Sequence, residues 1–221
     1  MKILAHDPRY KFDGRVDSPS DAAVVREIWC ENVYELYDGD LSDTGIVVDL
    51  GANIGAFSLY AAMLGAKKVI AVEPERDNIE LLRANIDAHR SITPDCEFVL
   101  DDNGIGGSPK KAYISHMHGD SRVHGEDEKM PEFQTIDVIT LEQLFRKLKL
   151  EYIDVLKIDI EGMEGEVLIN TPERIMNLCR YITIEYDQHS TDLGAIVEKL
   201  TQTHQVKVVG KAGGMIFAKR Y

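Results

Sequence analysis

The sequence predicts an α/β fold with a mostly parallel sheet and an antiparallel strand at its C-terminal end. Three observations predict it. Short apolar runs recur at Ile46–Leu50, Val69–Val72, Glu97–Leu100 and Tyr181–Glu185, each too short for a helix. Between them lie longer stretches with apolar residues at helical spacing, the alternation that builds parallel sheets. The chain closes with Val206–Val209 and Met215–Lys219 around a glycine-rich turn, which reads as a hairpin.

Composition sets bounds on function. The chain has 221 residues, enough for one domain with a full core. Its net charge is −13. A surface that acidic repels phosphate backbones and anionic membranes, which argues against nucleic-acid and membrane partners. Cys30, Cys96 and Cys179 are far apart, lack metal spacing, and read as reduced, buried thiols of a cytoplasmic protein. The first residues lack the long apolar run of a signal peptide, and no stretch approaches the ~20 apolar residues of a membrane span.

Residues 1–17 read as an irregular lead-in. Ser18-Pro19-Ser20-Asp21 opens a helix with a capping serine, a proline in the first turn and an acid three residues on. Val24, Val25, Ile28 and Trp29 give it an apolar face that continues toward Leu36. Turns follow at Asp38-Gly39-Asp40 and Asp43-Thr44-Gly45. After the first two strands, Ile79, Leu82 and Ile86 mark a helix from about Arg76 to His89. Residues 104–134 read as a long loop over the mouth of a site, with one short strand near Lys111–Ile114. Within it His116, His118, Asp120 and His124 invite a metal hypothesis, but the stretch lacks helical support and cysteine. Ser121 and Arg122 are candidate substrate contacts there. Phe133–Ile139 alternates weakly, as a strand does. Thr140-Leu141-Glu142-Gln143 is a capping box that opens a helix through Leu150. Tyr152–Ile160 is apolar on both faces near its centre, as a central parallel strand is. Thr171-Pro172-Glu173 and Asp192 start two more helices.

The first strand ends in Asp49, and the turn that follows has the pattern D-x-G-x-N-x-G over Asp49, Gly51, Asn53 and Gly55. Gly51 can take backbone angles other residues avoid and lets a ligand approach the main chain. The helix after it points free N–H groups into the same crevice, at the carboxyl end of the strand. The dinucleotide fingerprint G-x-G-x-x-G is not met: Asn53 replaces the middle glycine, and Asp49 would repel a diphosphate. That disfavours a nicotinamide oxidoreductase. A cationic nucleoside suits Asp49 better. Glu73 ends the second strand, where an acid accepts both ribose hydroxyls.

Three blocks carry a family resemblance: Val48-Asp49-Leu50-Gly51-Ala52-Asn53-Ile54-Gly55, Val72-Glu73-Pro74, and Leu156-Lys157-Ile158-Asp159-Ile160-Glu161-Gly162-Met163-Glu164 followed by Val167-Leu168. With them the chain resembles S-adenosylmethionine-dependent methyltransferases of the FkbM type, from about Glu27 onward. The resemblance implies a Rossmann-like class I methyltransferase fold, a three-layer α/β/α sandwich on a seven-stranded sheet with an antiparallel C-terminal strand. It implies one domain over residues 1–221, with 1–37 as lead-in and covering helix. It implies S-adenosylmethionine as cofactor and S-adenosylhomocysteine as product. Cofactor contacts are expected at Asp49, Gly51, Asn53, Gly55, Phe57, Glu73 and Pro74, with Asp102 and Asn103 near the adenine, and Asp159 and Tyr34 beside the reacting end.

Methyl transfer needs position, water exclusion and, for a hydroxyl, a base. Lys157, Asp159 and Glu161 alternate at a strand end and by period two share a face. Those three and Glu185 are the catalytic candidates, with Asp187 and His189 just beyond. The acceptor is read as a hydroxyl of a small molecule or glycan. Transfer to nitrogen and a non-catalytic cofactor-binding module stay open. Clustered carboxylates also leave a divalent ion open, although no metal ligand set is assigned.

Overall fold

The structure is a computed structural model. It describes residues 2–4, 9–15, 18–37, 39–43, 45–115, 123–125, 130, 133–186, 192–210 and 213–221. The described residues of the N-terminal segment, 2–4 and 9–15, pack onto the body rather than forming an irregular lead-in. Strands β1 (Lys2–Leu4) and β2 (Lys11–Asp13) pair antiparallel. Helix α1 (Pro19–Arg26) starts as expected, with the Ser18 hydroxyl accepting from the Asp21 N–H. It does not run on to Leu36. A single wide turn over Glu27–Glu31 ends at Asn32, which takes a left-handed conformation that asparagine tolerates. The Asn32 amide then bridges both backbone groups of Leu36, so the chain doubles back and Tyr34 enters the core.

The central sheet follows the expected plan. Strands β3 (Ile46–Leu50), β4 (Lys68–Val72) and β5 (Glu97–Asp101) alternate with α2 (Ala56–Met63) and α3 (Arg76–His89). A segment with four further strands intervenes: β6 (Gly104–Ile105), β7 (Lys110–Ile114), β8 (Val123–His124) and β9 (Gln134–Ile139). Then come α4 (Leu141–Leu148), β10 (Ile153–Ile158), α5 (Glu164–Asn170), α6 (Glu173–Met176), β11 (Cys179–Tyr186), α7 (Leu193–Thr201), β12 (His204–Gly210) and β13 (Gly214–Arg220). The seven-stranded sheet has the order β12-β13-β11-β10-β3-β4-β5. All neighbours are parallel except β13, which is antiparallel to both of its own.

Chain order reverses between β3 and β10. From β3 the chain moves outward to β4 and β5, then returns to lay β10 on the other side. That switch opens a crevice at the carboxyl ends of these strands. Alternation along the strands splits the core into two layers. Val47, Val69 and Val155 pack with Trp29, Phe57 and Leu59 on one face. Val48, Ile70 and Leu156 pack with Leu144, Leu168 and Ile196 on the other. Every residue of β10 is buried, as a central parallel strand demands.

Several local expectations are corrected. Residues 104–134 are not simply a loop: β6, β7, β8 and β9 form a second sheet, on which Ala112, Ile114, Ile136 and Val138 make a small apolar cluster. Thr171 does not cap the helix after it, because its hydroxyl donates back to the Val167 carbonyl. Cys30 is exposed rather than buried, whereas Cys179 is buried and its thiol is pushed up to about 12 by desolvation. His116, His118, Asp120, Ser121, Arg122, Asp187 and His189 lie outside the described residues. Among the described residues no helix is long and apolar enough to cross a membrane.

Candidate active site

The loop after β3 is shaped by backbone geometry. Gly51, Asn53 and Gly55 all have positive φ, at 77°, 49° and 90°. The N–H groups of Gly51 and Ala52 both donate to the Val72 carbonyl at 3.0 Å, which ties the turn to β4. The glycine at 51 is needed for a reason other than ligand approach. A Cβ there would sit 1.7 Å from the Asp159 carbonyl oxygen. The D-x-G turn and the strand-end segment after β10 cross in contact, and only a hydrogen atom fits between them. Gly55 likewise clears Leu82 of α3.

Beneath that crossing lies a buried charge cluster. Asp49 is fully buried; its carboxylate accepts from the Ser58 hydroxyl at 2.7 Å and faces the Lys157 ammonium at 3.2 Å. Asp49 therefore reaches the crevice only through Lys157, not by direct contact as its position at the strand end implied. The pairing of β10 with β3 sets Lys157 beside Asp49. Lys157 donates to the Gly51 carbonyl at 2.7 Å and meets Asp159 at 3.3 Å. Burial alone would lower its pKa, but the carboxylates of Asp159 and Asp49 outweigh that and hold it well above the ordinary lysine value.

Asp159 heads a short relay. The Tyr34 hydroxyl lies 2.9 Å from Asp159 Oδ2 and 3.2 Å from Glu185 Oε2, with one proton to give to either. Burial, then the two carboxylates, push the Tyr34 pKa well above its usual value, so it stays a donor. Desolvation, then Asp159, push Glu185 up to about 7. Glu185 keeps one side open to solvent. Glu161 does not continue the strand alternation: its φ of 54° places it in a turn, exposed at the crevice edge. That turn is fastened by Glu164, a residue to which the sequence reading gave no role. Its buried carboxylate accepts from the N–H groups of Ile160 at 2.9 Å and Gly162 at 3.1 Å.

On the other side Glu73 is buried at the tip of β4. One oxygen accepts from the Asn53 N–H at 2.8 Å; the other accepts from the Glu75 N–H at 2.9 Å and the Asn78 amide at 3.3 Å. Burial pushes its pKa up to about 7 despite these donors. Past β5, Asn103 lines the crevice and donates to Asp101 at 2.6 Å, whereas Asp102 faces a neighbouring surface depression with Arg76 and Gln134. The tip of β5 therefore offers Asn103 to the crevice, and Asp102 does not join it.

The crevice has two lobes. One is lined by Glu73, Pro74, Asn78, Asn103, Ile105, Ile114 and Met163. The second is lined by Val24, Glu27, Ile28, Tyr34, Phe57, Lys157 and Glu185. They share Gly51, Asn53, Asp159 and Glu161, so the lobes meet beside the Asp159 carboxylate. The short sheet of residues 104–139 supplies Ile105 and Ile114 to the first lobe, and α1 with its following turn supplies one wall of the second.

This architecture has known counterparts. The chain is 26% identical over 192 residues to methyltransferase sdnD of Sordaria araneosa, covering 73% of each protein. It is 27% identical over 216 residues to the 31-O-demethyl-FK506 methyltransferase FkbM of Streptomyces tacrolimicus, covering 85% of this chain and 82% of the relative. Among solved structures it matches methyltransferase FkbM from Methylobacillus flagellatus with a TM-score of 0.58 at 16% identity, over 88% of this chain. The match spans 47% of that longer protein, about half its length. It also matches the magnesium protoporphyrin IX methyltransferase ChlM of Synechocystis, solved with bound SAH, with a TM-score of 0.50 at 10% identity, over 95% of this chain and 90% of that one. Those two likenesses establish the class I methyltransferase fold. Residues 49–207 match the methyltransferase FkbM domain, and the chain belongs to that family.

Proposed function

We propose that this chain, acting as a single methyltransferase domain, transfers a methyl group from S-adenosylmethionine to a hydroxyl of a small molecule or glycan. The observation that carries the reading is the meeting of two lobes at Asp159, one fit for a nucleoside and one holding a carboxylate that can take a proton. The first lobe fits the cofactor. Glu73 presents a carboxylate for ribose hydroxyls, and Ile105, Ile114 and Met163 give an apolar surface for a base. At the junction Asn53 Oδ1 is buried without a hydrogen-bond partner. An orphaned acceptor costs free energy that a ligand donor, such as an ammonium group, would recover.

The bound cofactor supplies a methyl group made electrophilic by its sulfonium. The chain supplies everything else. Lys157 holds Asp159 and the Gly51 loop in fixed relation, which sets where an acceptor can lie. Tyr34 and Phe57 exclude water from the floor of the second lobe. Glu185, lifted toward neutral pH, takes the acceptor's proton. The name of the Streptomyces relative points the same way, since a 31-O-demethyl substrate is methylated at oxygen.

A second reading, transfer to nitrogen, is favoured by charge. Among the described residues the second lobe carries Glu27, Asp159, Glu161 and Glu185 against Lys157 alone, and that lysine already faces two carboxylates. Such walls attract a protonated amine.

Calorimetry tests the cofactor assignment, with S-adenosylhomocysteine and NAD titrated in parallel. S-adenosylhomocysteine binds in the micromolar range and NAD does not. Glu73→Ala weakens the former about tenfold or more, the loss expected of a hydrogen bond to a charged group. Binding of NAD instead would end the methyltransferase assignment for the site. Binding without transfer to any hydroxylated or amino acceptor would leave a cofactor-binding module.

A further inference from the structure

We propose that Arg15, in the N-terminal segment outside the matched family region, is a positioning residue for Glu73 and acts through Asn78. The inference rests on the reading of Glu73 as the acid that takes the cofactor ribose. Strand β2 and the residues after it lie along α3 in a fixed register. The Lys11 N–H donates to His89 at 3.1 Å. Asp13 makes a two-way bridge with Asn85, N–H to Oδ1 at 2.6 Å and Nδ2 to the carbonyl at 3.0 Å. Arg15 then reaches Asn78 at 2.8 Å. Alternate positions on an extended segment thus meet positions 89, 85 and 78 of the helix, which share one helical face. Asn78 stands beside Glu73 and Glu75, at the end of α3 that borders the crevice.

The chemistry at Asn78 allows one orientation. A guanidinium has only donors, so Arg15 Nη1 can meet only the amide oxygen. On the other side carboxyl oxygens of Glu73 and Glu75 accept from the amide nitrogen, at 3.3 Å and 3.0 Å. Arg15 therefore anchors the oxygen of the same amide whose NH2 the two buried acids hold, and so fixes the place of Asn78 between them. Arg15 is itself held hard: Asp21, almost wholly buried, accepts from its backbone N–H at 2.7 Å and from Nη2 at 2.6 Å. Without the guanidinium the Asn78 side chain loses the contact that holds its oxygen, and its hydrogen bond to Glu73, already 3.3 Å long, loosens.

The test is a ligand-based cycle by calorimetry, using S-adenosylhomocysteine and its 2′,3′-dideoxyribose analogue. In the wild type the dideoxy analogue binds about tenfold weaker or more, because it cannot donate to Glu73. Arg15→Ala weakens S-adenosylhomocysteine several-fold and leaves the analogue nearly unchanged, so the penalty shrinks toward one. A merely structural role would weaken both ligands alike. Asn78→Asp is the second variant. It keeps a partner for Arg15 and so keeps the segment docked, but it removes the NH2. It shrinks the penalty in the same way, and thermal melting of each variant reports whether it folds. A full penalty retained in either folded variant overturns the role of Arg15 and leaves the ribose assignment standing. No penalty in the wild type overturns the ribose assignment of Glu73, and the inference falls with it.

Discussion

The two acids at the ends of β4 and β11 make an instructive pair. Glu73 and Glu185 are both pushed to about 7, yet by surroundings that ask different things of them. Glu73 accepts from two backbone N–H groups and an amide, and its shift comes from burial. It is a positioned acceptor that awaits further donors. Glu185 has a tyrosine hydroxyl, an open side, and Asp159 as a like-charged neighbour. Desolvation first, and then repulsion from Asp159, make a proton welcome there. The same pKa can therefore mark a binding wall on one side of a crevice and a base on the other. Burial raises both; the distinction lies in three donors that hold Glu73 in place against one tyrosine hydroxyl on a Glu185 that is open on one side.

The largest effect is expected where the two walls are joined. Lys157→Met leaves the fully buried Asp49 without its cation, and breaking a buried pair this way costs about 3–5 kcal/mol. Urea unfolding should show that loss, together with loss of methyl transfer. The double variant Asp49→Asn with Lys157→Met removes the stranded charge and should regain much of the stability. It should not regain activity, because Asp159 has still lost its partner. Recovery of both would show that the cluster is only structural.

Next in size is the base. A carboxylate must be ionised to accept a proton, so the rate should rise with pH through about 7 and level off above it. Glu185→Gln should abolish that rise and lower the plateau by about 10²–10⁴, the usual worth of a positioned base. Cofactor affinity should stay unchanged, which separates this wall from that of Glu73. An unaltered pH–rate curve in Glu185→Gln would remove Glu185 from the chemistry.

These pairings also show what a sequence can convey. The main sheet was legible because its strands and helices carry local signals: Ile46–Leu50 is apolar and short, Thr140 and Gln143 cap a helix, and Asp192 caps another. The places of Glu73 and Asp159 were legible, because each directly follows such a strand. What stayed hidden depends on contacts between distant residues. Asp49 was read as facing a ligand because its partner Lys157 lies far along the chain and register alone brings them together. The N-terminal segment looked irregular because it is held by Asn78, Asn85 and His89, polar residues that leave no periodic trace in residues 9–15. The second sheet was missed because β6 and β8 are two residues long, and of its strands only β9 alternates between buried and exposed. Gly51 was read as a glycine with unusual backbone angles that a ligand approaches; the angle is there, but the atom a side chain would meet is the Asp159 carbonyl oxygen.

The smallest effect tests the link between Asp159 and Glu185. The Tyr34 hydroxyl lowers the Glu185 pKa by donating to its ionised form, against the desolvation and the Asp159 charge that raise it. Tyr34→Phe removes the donor and keeps the ring packed edge-on against Phe57. Glu185 then binds its proton more tightly, and the midpoint of the pH–rate curve moves upward from about 7 by a fraction of a unit. Well above that midpoint the variant should approach the wild-type rate, because Glu185 is ionised in both. A uniform loss at every pH would instead place the hydroxyl in contact with the acceptor. A downward shift would mean that Tyr34 favours the protonated acid, the opposite of what a donor 3.2 Å from a carboxylate oxygen does.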